Sequence, residues 1–112
     1  MMDVTRKDLG GGVAILRLDG KLNMTTASCL RDHVGTALED GQTRLTVDMS
    51  KIDFMDSSGL GALINGLKAA RQAGGDLKIF GPNEQVQLVL RLTNLNNLLT
   101  TVDQAETAFA NG

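Results

Sequence analysis

The sequence predicts one α/β domain, with a mixed, mostly parallel sheet of four to five strands covered by about four helices. Its 112 residues are enough for one hydrophobic core and too few for two. Hydrophobic residues make up 42% of the chain, which is typical of a folded protein. After an opening hairpin, strand-like and helix-like segments alternate, and this order is typical of parallel strands joined by helices. We therefore treat residues 1–112 as a single domain.

The first part of the chain predicts a hairpin followed by a helix. Residues 4–7 and 13–18 are expected strands on either side of three glycines at 10–12, where positive φ angles cost little. Between Thr25 and Leu38 the apolar residues recur at helical spacing, and Gly41 provides a stop. The apolar face of this helix contains Ala27, Leu30, Val34, Ala37 and Leu38.

The central part predicts a strand, a connection and a second helix. Polar and apolar residues alternate from Arg44 to Met49, as they do in a strand with one buried face. Residues 51–55 are expected to form a short connection. The next helix is expected from about Ser58 to Ala73, where apolar residues return to helical spacing before two glycines.

The last part predicts a strand at residues 77–80 and a third helix that begins near Asn83 and continues to about Thr93. Asn94 is suited to the left-handed conformation that ends such a helix. Residues 98–100 predict a short strand, and residues 102–109 predict a fourth helix.

Composition and charge argue against several classes of function. The net charge is −2 and the basic residues are scattered, so binding to nucleic acid or to an anionic membrane is not expected. The sequence contains three Phe and no Trp or Tyr, so few side chains are available to stack on nucleic-acid bases. Cys29 is the single cysteine and no segment resembles a signal peptide, so we expect a cytoplasmic protein.

No metal, cofactor or catalytic activity is expected either. His33 is the single histidine, at the edge of a helical apolar face and without a second ligand at metal-binding spacing. The sequence contains neither a phosphate-binding glycine loop nor a nucleophile elbow. Asp48 lacks the acidic pair that a phospho-accepting aspartate needs to hold Mg²⁺, and we expect it to be an exposed residue at a strand end.

A cluster of small and polar residues marks the start of the second helix. Asp56, Ser57 and Ser58 are all good helix caps, although a helix needs only one. Gly59 and Gly61 follow, and each glycine costs a helix about 1 kcal/mol relative to alanine. One interpretation is simple capping. The other is a modification site, because a phosphate on a hydroxyl here would meet the unpaired N–H groups of the first turn and alter partner docking.

The segment from Phe54 to Gly61, FMDSSGLG, resembles the phosphorylation loop of the STAS-domain anti-anti-sigma factors, also called anti-sigma factor antagonists. The resemblance extends over nearly the whole chain and implies a STAS-type fold. Residues 18–23 resemble the family's strand-end loop, residues 74–77 its glycine turn, and residues 92–95, 98 and 105 its closing segment.

The resemblance also implies a function. In similar proteins the serine directly after the aspartate is phosphorylated, and that residue is Ser57 here. Ser58 is then a cap or a supporting contact, and Asp56 and Gly59 complete the loop. The unphosphorylated form would bind an anti-sigma factor that is also a serine kinase, and so release a sigma factor. Phosphorylation would end this binding and a phosphatase would restore it, so the protein itself is not expected to be an enzyme.

The expected partner surface combines the loop after the second strand, the Ser57 loop and the exposed side of the following helix, to which we also assign Gly59. Asn23 replaces an aspartate that is common in the family, which would weaken contact with a basic partner residue, and Asn94 replaces a glycine. The alternative function is a STAS subunit of another assembly, such as a stress-signalling scaffold or an accessory of a lipid or anion transporter. The expected partner-binding residues are Lys21, Asn23, Met24, Gly61, Asn65 and Lys68.

Overall fold

The computed structural model of the chain describes residues 2–109. These residues form five strands and three helices, and the strands make one sheet in the order β1-β2-β3-β4-β5. β1 is antiparallel to β2, and the other neighbouring strands are parallel, which confirms the predicted mixed, mostly parallel α/β sheet. The elements are β1 (Met2–Gly10), β2 (Val13–Leu22), α1 (Ala27–Glu39), β3 (Arg44–Met55), α2 (Ser57–Gln72), β4 (Asp76–Phe80), α3 (Glu84–Leu92) and β5 (Thr100–Val102).

The β1–β2 hairpin is closed by its three glycines, as predicted. Gly10, Gly11 and Gly12 have φ angles of 81°, 64° and 79°, a region that residues with a side chain rarely enter. β2 then runs parallel to β3, and its register shifts twice toward its end, between residues 17 and 19 and between residues 20 and 21. Such irregularities bend a strand and redirect the residues that follow it.

The main hydrophobic core lies between one face of the sheet and helices α1 and α2. At Gly66, α2 lies close to both β4 and α1. A Cβ atom there would lie 3.1 Å from Leu77 Cδ1 and 3.4 Å from Val34 Cγ2. Within residues 2–109, no helix has the length and apolar character that a membrane span requires. The strands supply Leu16, Leu18, Val47, Met49 and Ile79 to this core, and the helices supply Leu30, Val34, Leu63 and Leu67.

Residues 103–109 lie across the opposite face of the sheet. Arg17 and Lys78 point to this face because they alternate with core residues of β2 and β4. Arg17 forms an ion pair of 2.9 Å with Glu106, and Lys78 Nζ donates a hydrogen bond of 2.9 Å to the carbonyl oxygen of Ala108.

The predicted fourth helix is wrong. Residues 103–109 form turns, so the described part of the chain has three helices instead of about four. Val102 belongs to β5, where it pairs with Phe80 of β4. Among residues 103–109, Ala105 is the one buried residue, with 3% of its surface exposed. A single short turn with one buried anchor gains too little packing to offset the cost of helix nucleation.

Several predicted strand boundaries also differ, and β1 and β2 both extend beyond the predicted residues 4–7 and 13–18. Residues 51–55 continue β3 instead of forming a connection, because β2 extends far enough to place Leu22 opposite Met55. The strand predicted at 98–100 lies at Thr100–Val102, since Leu99 first closes a helical turn by donating a hydrogen bond of 3.1 Å to the oxygen of Leu95. The three remaining helices occur where the sequence predicts them, and Asn94 has a φ of 58° after α3, as predicted.

Candidate functional site

The site lies where β3 ends and α2 begins. Asp56 has an extended backbone, with φ −105° and ψ −176°, and its Oδ1 atom accepts a hydrogen bond of 2.9 Å from the N–H of Gly59. Asp56 is therefore the N-cap of α2, so a cap role for Ser58 is wrong, and its other predicted role, a supporting contact, stays a prediction. Ser58 lies half-buried in the first turn of the helix.

Ser57 is the first residue of α2 and is exposed. The first hydrogen bond of the helix runs from Leu60 N–H to the carbonyl oxygen of Asp56, at 3.0 Å. The N–H groups of Ser57 and Ser58 precede this bond, so they have no acceptor within the helix and lie at the positive end of its 16 residues. An anion on the Ser57 hydroxyl would lie next to these donors.

The two glycines of the first turn have different surroundings. Gly59 is buried, and a Cβ atom there would lie 2.3 Å from the carbonyl oxygen of Leu22 and 2.7 Å from its Cγ. Gly59 therefore lets α2 contact the end of β2, and its assignment to the exposed side of the helix is wrong. A Cβ atom at Gly61 would meet nothing within 4 Å.

The loop between β2 and α1 is held by its own hydrogen bonds. Asn23 Oδ1 accepts the N–H of Thr25 at 3.0 Å and its hydroxyl at 2.8 Å. The Thr26 hydroxyl accepts the N–H of Asn23 at 2.9 Å and donates to the oxygen of Lys21 at 2.7 Å. These bonds leave Met24 at the tip of the loop with 76% of its surface exposed.

This loop and the Ser57 segment are in contact. The N–H of Met24 donates a hydrogen bond of 3.2 Å to Asp56 Oδ2, the oxygen that does not cap α2. The N–H of Asp56 in turn donates to the oxygen of Leu22 at 3.2 Å. The residues assigned to the loop in the sequence, Lys21, Asn23 and Met24, therefore lie beside the start of α2.

The remaining assigned residues follow one side of α2. Gly61, Asn65 and Lys68 are four and then three residues apart, so they lie on one helical face, and Asn65 and Lys68 are exposed. Lys21 is also exposed and pairs with Phe54, whose side chain is 41% exposed. A continuous strip thus begins at the Met24 loop, passes Ser57 and continues along α2.

Gln85 supports the site, although sequence reasoning missed it. Its Oε1 atom accepts the N–H of Met55 at 2.8 Å, and its Nε2 atom donates to the oxygen of Met55, also at 2.8 Å. Both backbone groups of the last residue of β3 are therefore bound by one side chain of α3. No pattern in the sequence distinguishes this glutamine from the others in the chain.

Asp48 is buried instead of exposed, contrary to the prediction. It is 9% exposed within β3, because the strand continues past it to Met55. Its Oδ1 atom accepts hydrogen bonds from the N–H and the hydroxyl of Ser50, at 2.9 Å and 2.6 Å. Its Oδ2 atom lies 3.5 Å from Nε of Arg17.

His33 forms a local contact inside α1, where its Nδ1 atom lies 2.8 Å from the carbonyl oxygen of Cys29 one turn earlier. Across the described range 2–109, no three His, Cys, Asp or Glu side chains are grouped so that they could hold a metal ion.

The chain is similar in sequence and structure to known proteins. The model of the STAS domain family matches residues 6–108. The anti-sigma F factor antagonist of Paenibacillus polymyxa is 30% identical over 93 residues, which are 82% of this chain and 80% of the relative. A Thermotoga maritima protein, provisionally named an anti-sigma factor antagonist, has a crystal structure that matches with a TM-score of 0.85 at 30% identity. That match covers 96% of this chain and 92% of the other.

SpoIIAA, an anti-sigma factor antagonist, has the same fold. Its unphosphorylated form matches with a TM-score of 0.73 at 19% identity, covering 93% of this chain and 91% of SpoIIAA. The phosphorylated form of Bacillus SpoIIAA matches with a TM-score of 0.72 at 20% identity, covering 94% of this chain and 96% of SpoIIAA.

Proposed function

The chain belongs to the STAS domain family and, within it, to the anti-sigma factor antagonists, and from this premise we propose that it works by partner switching at Ser57. The unphosphorylated protein binds an anti-sigma factor that is also a serine kinase, and a sigma factor is released. The kinase phosphorylates Ser57, which ends the binding, and a phosphatase restores it. The protein is one cytoplasmic binding domain without catalysis or a cofactor of its own.

The observation that supports this proposal best is the position of Ser57. Ser57 is exposed as the first residue of α2, between the Met24 loop and the helical face that contains Asn65 and Lys68. A kinase that binds this strip would have the hydroxyl at the centre of the contact. Relatives that are 33% and 30% identical bear anti-sigma factor antagonist names, which favours this function over the alternative of a subunit in another assembly.

A phosphate on Ser57 would oppose docking by its charge. It adds close to two negative charges beside the Asp56 carboxylate, and a partner surface that fits a neutral hydroxyl would have to bury them without pairing. The N–H groups at the start of α2 would hold the phosphate in place and favour the modified form of the free chain.

The first test identifies the modified residue. The full chain is used to capture its kinase from an extract of the source cell, and the purified pair is incubated with Mg-ATP before phosphopeptide mapping. We expect one phosphate on Ser57, loss of labelling in Ser57→Ala, and normal labelling in Ser58→Ala, the matched control. Labelling of Ser58, or no labelling by a kinase that is active on itself or another substrate, would contradict the proposal.

The second test measures binding to the captured kinase. Ser57→Asp should weaken binding at least tenfold, because the carboxylate brings a charge into the centre of the contact. Ser57→Ala should bind within about threefold of the unmodified protein, since it removes only a hydroxyl. Gln72→Glu adds the same charge at the other, exposed end of α2 and serves as the control. Equal binding of Ser57→Asp and Ser57→Ala would leave Ser57 without a switching role.

A further inference from the structure

The carboxylate of Asp56 has two hydrogen-bond partners from different parts of the chain. Oδ1 accepts the N–H of Gly59 within the first turn of α2, at 2.9 Å. Oδ2 accepts the N–H of Met24 in the loop between β2 and α1, at 3.2 Å. Capping of the helix accounts for the first bond and leaves the second unexplained.

The bond to Met24 links the loop itself to the start of α2. The other backbone N–H groups of residues 23–26 bind acceptors inside the loop itself, namely Thr26 Oγ1, Asn23 Oδ1 and the Asn23 carbonyl oxygen. Within this described loop, Met24 N–H alone has its acceptor in another element. The loop is thus internally ordered, and Asp56 fixes its position relative to α2.

We infer that Asp56 is a positioning residue, which holds the exposed Met24 side chain at a fixed place beside Ser57 before any partner binds. This inference rests on the proposed function, because it assigns Met24 to the partner surface. Met24 is 76% exposed although it is apolar, and a flexible thioether side chain of this kind fits an apolar pocket on a protein partner. Fixing the loop in advance lowers the conformational entropy that binding would otherwise cost.

Asp56→Asn separates the two roles of the carboxylate. Asparagine caps helices as well as aspartate does, so its side-chain oxygen keeps the bond to Gly59. Its NH₂ group then faces the N–H of Met24, and two donors cannot bond with each other. Asp53→Asn is the matched control, because it removes the same charge from an exposed residue at the same end of β3.

The first measurement is amide hydrogen exchange of the isolated full chain, resolved by residue. In Asp56→Asn we expect the Met24 amide to exchange about three to ten times faster, the range expected for the loss of one hydrogen bond of ordinary strength. The Gly59 amide should keep its protection, and Asp53→Asn should change neither rate. Unchanged protection of Met24 in Asp56→Asn would overturn the inference.

The second measurement is a double-mutant cycle on binding to the captured kinase. Asp56→Asn should weaken binding at least threefold in the native background and have no effect when Met24 is already alanine, because Asp56 acts through Met24. Equal weakening in both backgrounds would show that Asp56 contacts the partner itself, which also overturns the inference.

The two proposals fail in different ways. If Ser57→Asp binds the kinase as well as the unmodified chain does, the switch is wrong, whereas the exchange rate of Met24 still decides the role of Asp56 in the loop. If Ser57→Asp abolishes binding and Asp56→Asn leaves Met24 protected, the switch stands and the positioning role is wrong.

Discussion

The buried glycine at the start of α2 provides a sharp test of how the site is built. Replacing Gly59 by alanine would place a Cβ atom 2.3 Å from the carbonyl oxygen of Leu22 and 2.9 Å from its carbonyl carbon. Both of these atoms belong to the backbone of β2, so a rotamer change cannot relieve the contact. Either α2 or the end of β2 has to move.

The expected cost combines two opposing contributions. Overpacking of a tight site costs about 1–3 kcal/mol, and a clash with backbone belongs at the upper end of that range. Alanine also gains about 1 kcal/mol over glycine inside a helix. Gly59→Ala should therefore lower the free energy of unfolding by about 2 kcal/mol or more, which corresponds to a loss of about 8 °C in Tm for a chain of this size.

Gly61→Ala is the control, because it makes the same substitution two residues later in the same helix. Its Cβ atom would meet nothing within 4 Å, so only the gain in helix propensity remains. We expect about 1 kcal/mol of added stability. Urea unfolding followed by circular dichroism measures both variants, and the difference between them, about 3 kcal/mol, isolates the contact with Leu22.

The reasoning is refuted if Gly59→Ala is as stable as Gly61→Ala. That result would mean that α2 can withdraw from the end of β2 at no cost, and the close contact between them would then not determine the geometry of the site.

Three further predictions concern other parts of the molecule. Asp48→Ala should lower the free energy of unfolding by about 1–3 kcal/mol, because it removes the carboxylate that accepts two hydrogen bonds from Ser50. Asp19→Ala, at an exposed residue, should change it by less than about 0.5 kcal/mol in the same urea titration. Asn94→Ala should cost about 1 kcal/mol in thermal unfolding and Asn94→Gly should cost nothing, since the position has a φ of 58°. Gln85→Ala should speed amide exchange at Met55 about tenfold or more, and unchanged exchange there would contradict its supporting role.

The elements that the sequence predicts correctly are those with a local cause. The spacing of apolar residues from Ala27 to Ala37 requires no knowledge of the rest of the fold, and the same holds for the glycines at 10–12 and for Asn94. Residues 51–55 continue β3 because the end of β2 lies beside them, and this neighbour is distant in sequence. The helical pattern at residues 102–109 is short, so it does not distinguish a helix from a strand followed by turns.

The candidate site also combines features that the sequence reveals with features that depend on the fold. Three possible caps followed by two glycines drew attention to Asp56 and Ser57, and this excess is visible in the sequence alone. The difference between the two glycines is not visible, because it depends on where Leu22 lies in space. The second bond of Asp56 is equally hidden, since its donor at Met24 lies 32 residues away in the chain.

The end of β2 and the loop that follows it are joined to the start of α2 at three points, and these contacts determine what kind of switch the site can support. Leu22 accepts the N–H of Asp56, Gly59 packs against the same carbonyl group, and the Asp56 carboxylate binds Met24. A segment held on both sides in this way has little freedom to rearrange, so a phosphate on Ser57 would act on a surface that is already formed. The phosphate would then change the affinity of the partner, because the partner would have to bind a dianion at a fixed position. Affinity for that partner can change by orders of magnitude while the stability of the free chain changes little, because no energy is needed for refolding.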